Sequence, residues 1–322
     1  MSASRDNPDG ELTPRSTSSS EQFAPVGAIQ LCYETFGDRA MPPLLLVMGL
    51  SSQMVMWEDT FCEKLAAQGF WVIRFDNRDV GRSSIMRDSP VPTRRQLLLR
   101  DRRAAAYTLA DMATDAAGLL GHLGVGAAHV VGVSMGGMIA QLMAVNDPQR
   151  MLSLVSIMST TGNRRVGNPH PLLLPLLFRG RPRGREDYVR DFIATFNAIG
   201  SRRYPPGDDR LRTLAERCYE RGIHPAGSAR QLAAVLTTAD RTPLLARVTV
   251  PTTVIHGDAD RLVSPSGGHA TASAIPGARL VMIPGMAHDI PPALWDRVLE
   301  EIVLRAHGGR EAMTERGWAR SA

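Results

Sequence analysis

A chain of 322 residues with 43% hydrophobic and 21% charged side chains lies near the averages of folded globular proteins, which excludes wholesale disorder and a fibrous architecture. Its longest apolar runs, around Leu44 to Leu50 and Leu172 to Phe178, fall far short of the roughly 18 residues of a spanning helix, so no membrane span is expected. The net charge of +5 rests almost wholly on arginine, Lys64 being the only lysine. With 5% aromatic residues and no nucleic-acid-binding motif, no nucleic-acid partner is expected either.

Residues 1–22 are rich in Ser, Thr, Asp and Glu and hold no apolar segment of the kind a secretory signal needs. They read as a disordered tail, and the expected address is cytoplasmic, with association with the cell envelope left open. Cys32, Cys62 and Cys218 are odd in number, lack metal-ligand spacing and sit in apolar or amphipathic stretches. Buried free thiols are expected.

From Ala28 onward short apolar runs, AIQLCYETF, LLLVM, FWVIRF, HVVGV and LVSIM, alternate with amphipathic stretches such as Glu58 to Gln68 and Leu109 to Leu123. This is the pattern of an α/β fold, a mostly parallel, doubly wound sheet with helices on both faces. Thr108 and Asp111 form a helix-start signal for the second stretch. After Ser159 the alternation fails; Pro, Gly and Arg clusters follow, with helical pieces near Asp187 to Ala198 and Asp209 to Glu220. It resumes with TTVIHGD, SGGHATASAI, RLVMI and a last helix from Ala293 to about Ala306. The expected organisation is a sheet domain, 23–159 and 248–306, interrupted by a mainly helical insertion at 160–247, with 307–322 as a frayed tail. The insertion carries 16 arginines against 8 acids. Such an excess suits either a solvated surface or attraction of anionic substrates and membrane surfaces.

Gly132, Val133, Ser134, Met135 and Gly136 form G-x-S-x-G between an apolar strand and an amphipathic helix, the context of a nucleophile elbow. A turn that sharp strains the serine, and the glycines two positions to either side leave room for it. Serine is a poor nucleophile at neutral pH, so a histidine must take its proton and a carboxylate must orient that histidine. His288, in the loop after RLVMI, is the candidate base. His256 within a strand and His269 within a helical run read as structural, and His122 and His129 lack catalytic context. Asp258 and Asp260 both follow the strand TTVIHG; Asp258, next to the glycine turn, suits bracing the loop, and Asp260 is preferred as the acid. Asp289 is too close to His288 in sequence to bridge back to its ring. The backbone N–H groups of Met135 and, past the Met48–Gly49 turn, of Leu50 are the candidate oxyanion hole.

With these residues in place the chain resembles the α/β-hydrolases from about Phe23 to Ala306. DNRDVGRSS at Asp76 to Ser84, HGDADRLV and GMAHDIP resemble that family's arginine-glycine loop, acid motif and histidine motif. The branch it resembles is that of bacterial esterases related to aclacinomycin methylesterase and to mycobacterial lipase-esterases. Met48 stands where an oxyanion-loop histidine is usual, and Asp79 where a glycine is common. The resemblance implies a Ser134–His288–Asp260 serine hydrolase of carboxylic esters or thioesters, needing no metal or organic cofactor, with residues 160–247 as a cap over the nucleophile. The expected partner is a small-molecule or lipid ester, and peripheral membrane contact is compatible with the sequence. HPLLLPLLF either packs on the core or lines an acyl pocket; Met54, Met56 and Met135 are candidate lining, and Trp57 is expected beneath the oxyanion loop. Acyl transfer to an alcohol or amine and a triad-bearing ligand receptor are the alternatives.

Overall fold

A computed structural model describes residues 20–178 and 182–315; the greater part of the expected N-terminal tail and the last residues of the C-terminal one lie outside them. Strand β1 (Gln22–Val26) turns through Gly27, at φ 57°, into β2 (Ile29–Phe36) as a tight hairpin. Next come β3 (Pro43–Val47), α1 (Asp59–Ala67), β4 (Trp71–Phe75), α2 (Arg94–Leu99) and α3 (Leu109–His122). The chain then adds β5 (Ala128–Val133), α4 (Met135–Asn146) and β6 (Met151–Ile157). The inserted segment carries a 3-10 stretch at Pro171–Phe178 and helices α5 (Arg185–Ile199), α6 (Asp208–Arg221), α7 (Pro225–Thr237) and α8 (Thr242–Leu245). The chain returns to the sheet with β7 (Thr252–Gly257), α9 (Ser266–Ala274), β8 (Arg279–Ile283) and α10 (Pro292–Glu315).

The eight strands form one sheet in the order β1-β2-β4-β3-β5-β6-β7-β8, parallel from β4 to β8. Four features differ from the sequence expectation. AIQLCYETF is antiparallel to both its neighbours; toward β1 the two-residue turn at Gly27 leaves no length for a crossover. Gln22 belongs to that hairpin rather than to the tail, and the last helix continues well past Ala306 to Glu315. Three helices, α2, α7 and α8, have no counterpart in the expected elements. The helix-start signal at Thr108 is a full capping box, with reciprocal bonds between Thr108 and Asp111.

Period-two alternation builds a core on each face. Leu45 and Val47 of β3 pack with α3 and α4, whereas Leu44 and Leu46 of the same strand pack with α1 and α10. The parallel strands thus end on one edge of the sheet, and the inserted segment lies over that edge. The three cysteines are buried free thiols; burial pushes each up to about 12.

Candidate active site

Ser134 follows β5 directly and opens α4, with φ 54° and ψ −118°, a conformation few non-glycine residues adopt. The flanking glycines are required by contact: a Cβ on Gly132 would stand 2.2 Å from the carbonyl oxygen of Gly136, and one on Gly136 would stand 2.1 Å from that of Val47. The strained turn is pinned on both sides, Ser134 N–H donating to Ile157 O at 2.9 Å and Ser159 Oγ donating to Ser134 O at 2.8 Å.

His288 and Asp260 converge on this serine from beyond the ends of β8 and β7. His288 Nε2 lies 3.0 Å from Ser134 Oγ, and its Nδ1 lies 2.7 Å from Asp260 Oδ2. The other carboxylate oxygen of Asp260 accepts from the N–H groups of Leu262 and Val263 at 2.8 and 2.9 Å. Burial alone would raise the pKa of Asp260, but the His288 and His256 imidazoles hold it well below the usual carboxylate range. Asp258 is exposed and accepts from Gly285 N–H at 2.6 Å, bracing the loop between β8 and the histidine. Asp289 turns away to bond the backbone and hydroxyl of Ser201. Of the other histidines, His256 is fully buried with Nε2 at 2.8 Å from Val263 O, His129 meets Ser153 at 2.8 Å, and His122 and His269 stay on helices.

Leu50 and Met135 border the same cavity as Ser134. The Met48–Gly49 turn runs so close to the elbow that a Cβ on Gly49 would touch that of Ser134 at 3.3 Å. Where a histidine is usual, the turn is instead steadied from the side: Asn77 Nδ2 donates to Met48 O at 3.0 Å, and Ser51 N–H donates to Gln231 of α7 at 2.8 Å. The second departure has a backbone meaning. Asp79 sits at φ 69°, where glycine is the natural occupant, and its carboxylate compensates by accepting from Nε and Nη2 of Arg230, both at 2.7 Å, and from the Tyr107 hydroxyl at 2.8 Å.

A cavity of about 1000 Å³ lies between the sheet edge and the inserted segment, at the upper end of the size usual for small-molecule sites. Its walls include Met48, Met56, Met138, Phe192, Leu214 and Leu232, with Ser134 and His288 at its base. Trp57 lines it too and stacks on Phe61, whereas Met54 is fully buried in a small cluster with Cys32, Val55 and Cys218 and does not reach the cavity. Leu174 and Leu176 of the HPLLLPLLF stretch line it, while Leu173 is buried and Leu172 is 76% exposed.

Part of the basic excess of the insertion is taken up by the sheet domain, through four ion pairs. Arg210 grips Glu58, Arg217 grips Asp59 at 2.9 Å, Arg221 grips Asp76, and Arg230 grips Asp79. Arg241, fully desolvated and lowered to about 10 by burial, donates to Thr160 O and Gln141. Sequence reasoning missed these contacts, and it missed Ser201, whose hydroxyl ties Ala287 N–H and Asp289 on either side of the histidine while Ile199 O accepts the N–H of His288 itself. Nothing in the sequence near Ser201 signals this, because its partners lie more than 80 residues away.

The geometry agrees with comparison to known proteins. The family model described as alpha/beta hydrolase fold matches residues 42–291. The chain belongs to that family. This hydrolase is 31% identical over 292 residues to rhodomycin D methylesterase DauP of Streptomyces sp. strain C5, covering 83% of this chain and 91% of the relative. That relative bears out the expected methylesterase branch. Among solved structures it resembles the enol-lactonase from Burkholderia xenovorans LB400, with a TM-score of 0.70 at 23% identity over 88% of this chain and 99% of the other. It also resembles a thermophilic esterase from Thermogutta terrifontis, with a TM-score of 0.67 at 25% identity over 92% and 99% of the two chains.

Proposed function

We propose that this enzyme hydrolyses carboxylic esters through an acyl-enzyme formed on Ser134. His288 Nε2 takes the proton of Ser134 Oγ as that oxygen attacks the ester carbonyl, then gives it to the departing alcohol. Asp260 accepts Nδ1–H, which fixes the productive tautomer and balances the imidazolium as it forms. The N–H groups of Met135 and Leu50 receive the oxyanion. A water, deprotonated by the same imidazole, then attacks the acyl-enzyme; the acid leaves and Ser134 regains its proton.

The observation that carries this reading is the unbroken chain from Ser134 Oγ to His288 at 3.0 Å and on to Asp260 at 2.7 Å, at the base of an apolar cavity. Residues 160–247 act as the cap that walls this cavity. Its volume and lining suit an ester with a bulky apolar group on at least one side of the scissile bond, and the similarity to a rhodomycin D methylesterase favours a methyl ester of a large acid as one such substrate. The lipid-ester and thioester options are tested with it. A panel of p-nitrophenyl esters of increasing acyl length, a bulky methyl ester and an acyl-coenzyme A is the direct experiment. Turnover with a p-nitrophenol burst, higher kcat/KM for the larger apolar acyl groups and loss in Ser134→Ala are expected. No hydrolysis of any member, with the serine still chemically reactive, would overturn the enzymatic reading in favour of a ligand receptor.

A further inference from the structure

We infer that the mouth of the cavity is a docking surface for an anionic lipid interface, from which the enzyme takes amphiphilic esters. Five of the nine large apolar side chains exposed among the described residues fall on two short segments: Val91, Leu98 and Leu99 on one, Leu172 and Leu174 on the other. Leu98 and Leu174 also line the cavity, so both segments edge the same opening. Leucines exposed by 70%, 69% and 76% at positions 98, 99 and 172 are costly in water, and their concentration on one rim marks an interaction site.

The first segment is built to hold them outward. A capping box between Thr93 and Gln96 fixes the start of α2, and Arg100 in the left-handed region, at φ 50°, ends it. Leu97 is buried against Leu232 and Ala233 of α7. With Leu97 anchored, the advance of about 100° per residue turns Leu98 and Leu99 away from that buried face.

The charge around these leucines decides the occupant. Arg95, Arg100, Arg102 and Arg103 make no ion pair among the described residues, in contrast to the arginines that clamp the inserted segment. Asp101, the one acid among them, accepts from Arg103 N–H to cap the following turn. A second copy of this chain would bring four unpaired cations against four. Exposed leucines beside arginines instead match an anionic interface, where apolar side chains enter the acyl boundary and guanidinium groups meet phosphate. An ester lying in that interface can pass its apolar part directly between Leu98 and Leu174 toward Ser134. The substrate half of this inference rests on the ester-hydrolase reading; the docking half does not.

The test is co-sedimentation of the full chain with vesicles of phosphatidylcholine alone and of phosphatidylcholine mixed with phosphatidylglycerol. The wild type should pellet with the anionic vesicles, remain in solution with the zwitterionic ones, and be released by added salt. Leu99→Ser/Leu172→Ser and Arg95→Gln/Arg102→Gln/Arg103→Gln should each weaken vesicle binding about tenfold or more. Both variants should hydrolyse a soluble short-chain ester at the wild-type rate, since none of these five side chains lines the cavity. A wild type that ignores anionic vesicles, variants that bind like the wild type, or a dimer in solution broken by the leucine substitutions would each overturn the docking surface. Vesicle binding without ester turnover would leave the docking surface standing and overturn the ester-hydrolase reading, so the two failures are separable.

Discussion

The sheet edge and the inserted segment, the proposed cap, are held by different forces. At the edge, each candidate catalytic side chain hangs from the end of a strand, and glycines at Gly132, Gly136 and Gly257 let neighbouring backbones approach more closely than any Cβ allows. The cap is instead seated by arginines reaching carboxylates far away in sequence, Arg221 to Asp76 across 145 residues and Arg230 to Asp79 across 151. Reactive geometry is thus set mainly by backbone at the strand ends, with Ile199 and Ser201 of the inserted segment holding the histidine loop, whereas the cavity roof depends on a few desolvated ion pairs. Substitutions at the edge should therefore act on the chemical step, and substitutions in the clamps on stability and cavity shape.

The largest effect belongs to the edge. Asp260→Asn leaves the imidazole in the wrong tautomer and should lower kcat by about 10⁴-fold. Asp258→Asn removes only the brace to Gly285 and should cost less than about tenfold; steady-state kinetics on one soluble ester ranks the two. A reversed ranking would transfer the orienting role to Asp258 and break the comparison at its strongest point.

The clamps come next. Arg230→Met strands Asp79, whose side chain is fully buried, and breaking such a pair costs about 3–5 kcal/mol. A drop of several degrees or more in Tm is expected, with kcat affected far less than by Asp260→Asn. An unchanged Tm would show that the cap is seated by apolar packing alone. Arg210→Gln should be milder, about 1 kcal/mol or less, because the pair with Glu58 is partly solvated. Since Glu58 and Arg210 both line the cavity, its signature should be a higher KM for bulky esters.

Where edge and cap meet, Ser201 sharpens the comparison. Ser201→Ala removes the bonds to Ala287 N–H and one of those to Asp289 while sparing the fold, and a fall in kcat of about tenfold is expected with little change in Tm. A change in Tm with normal kcat would make Ser201 part of the clamp rather than a support of the histidine loop.

The same contrast explains what was legible in the sequence. The elbow, the preference for Asp260 over Asp258 and the choice of His288 rest on residues adjacent to strand ends, so local pattern carries them. Arg230 is unremarkable in sequence and Asp79 is marked only as a departure from a common glycine; a left-handed aspartate paired with a distant arginine exists only once the inserted segment is folded onto the sheet. Helix α7 was missed because its Pro-Ala-Gly-Ser start lacks a capping signal and its buried face includes Arg230 and Gln231, polar residues matched to partners in the sheet domain. Alternation records burial and not direction, so by itself it places β2 with the parallel set, whereas the strand is antiparallel to both neighbours.

Everything proposed for the active site requires the strained serine of the elbow to be the nucleophile. Its most direct test is active-site labelling with a fluorophosphonate, followed by mass spectrometry of the modified peptide, on the wild type and on Ser134→Ala. The account predicts one phosphonylated residue, Ser134, and no labelling in the variant although its Tm stays near that of the wild type. A label on any other side chain, or labelling that persists in Ser134→Ala, would contradict it.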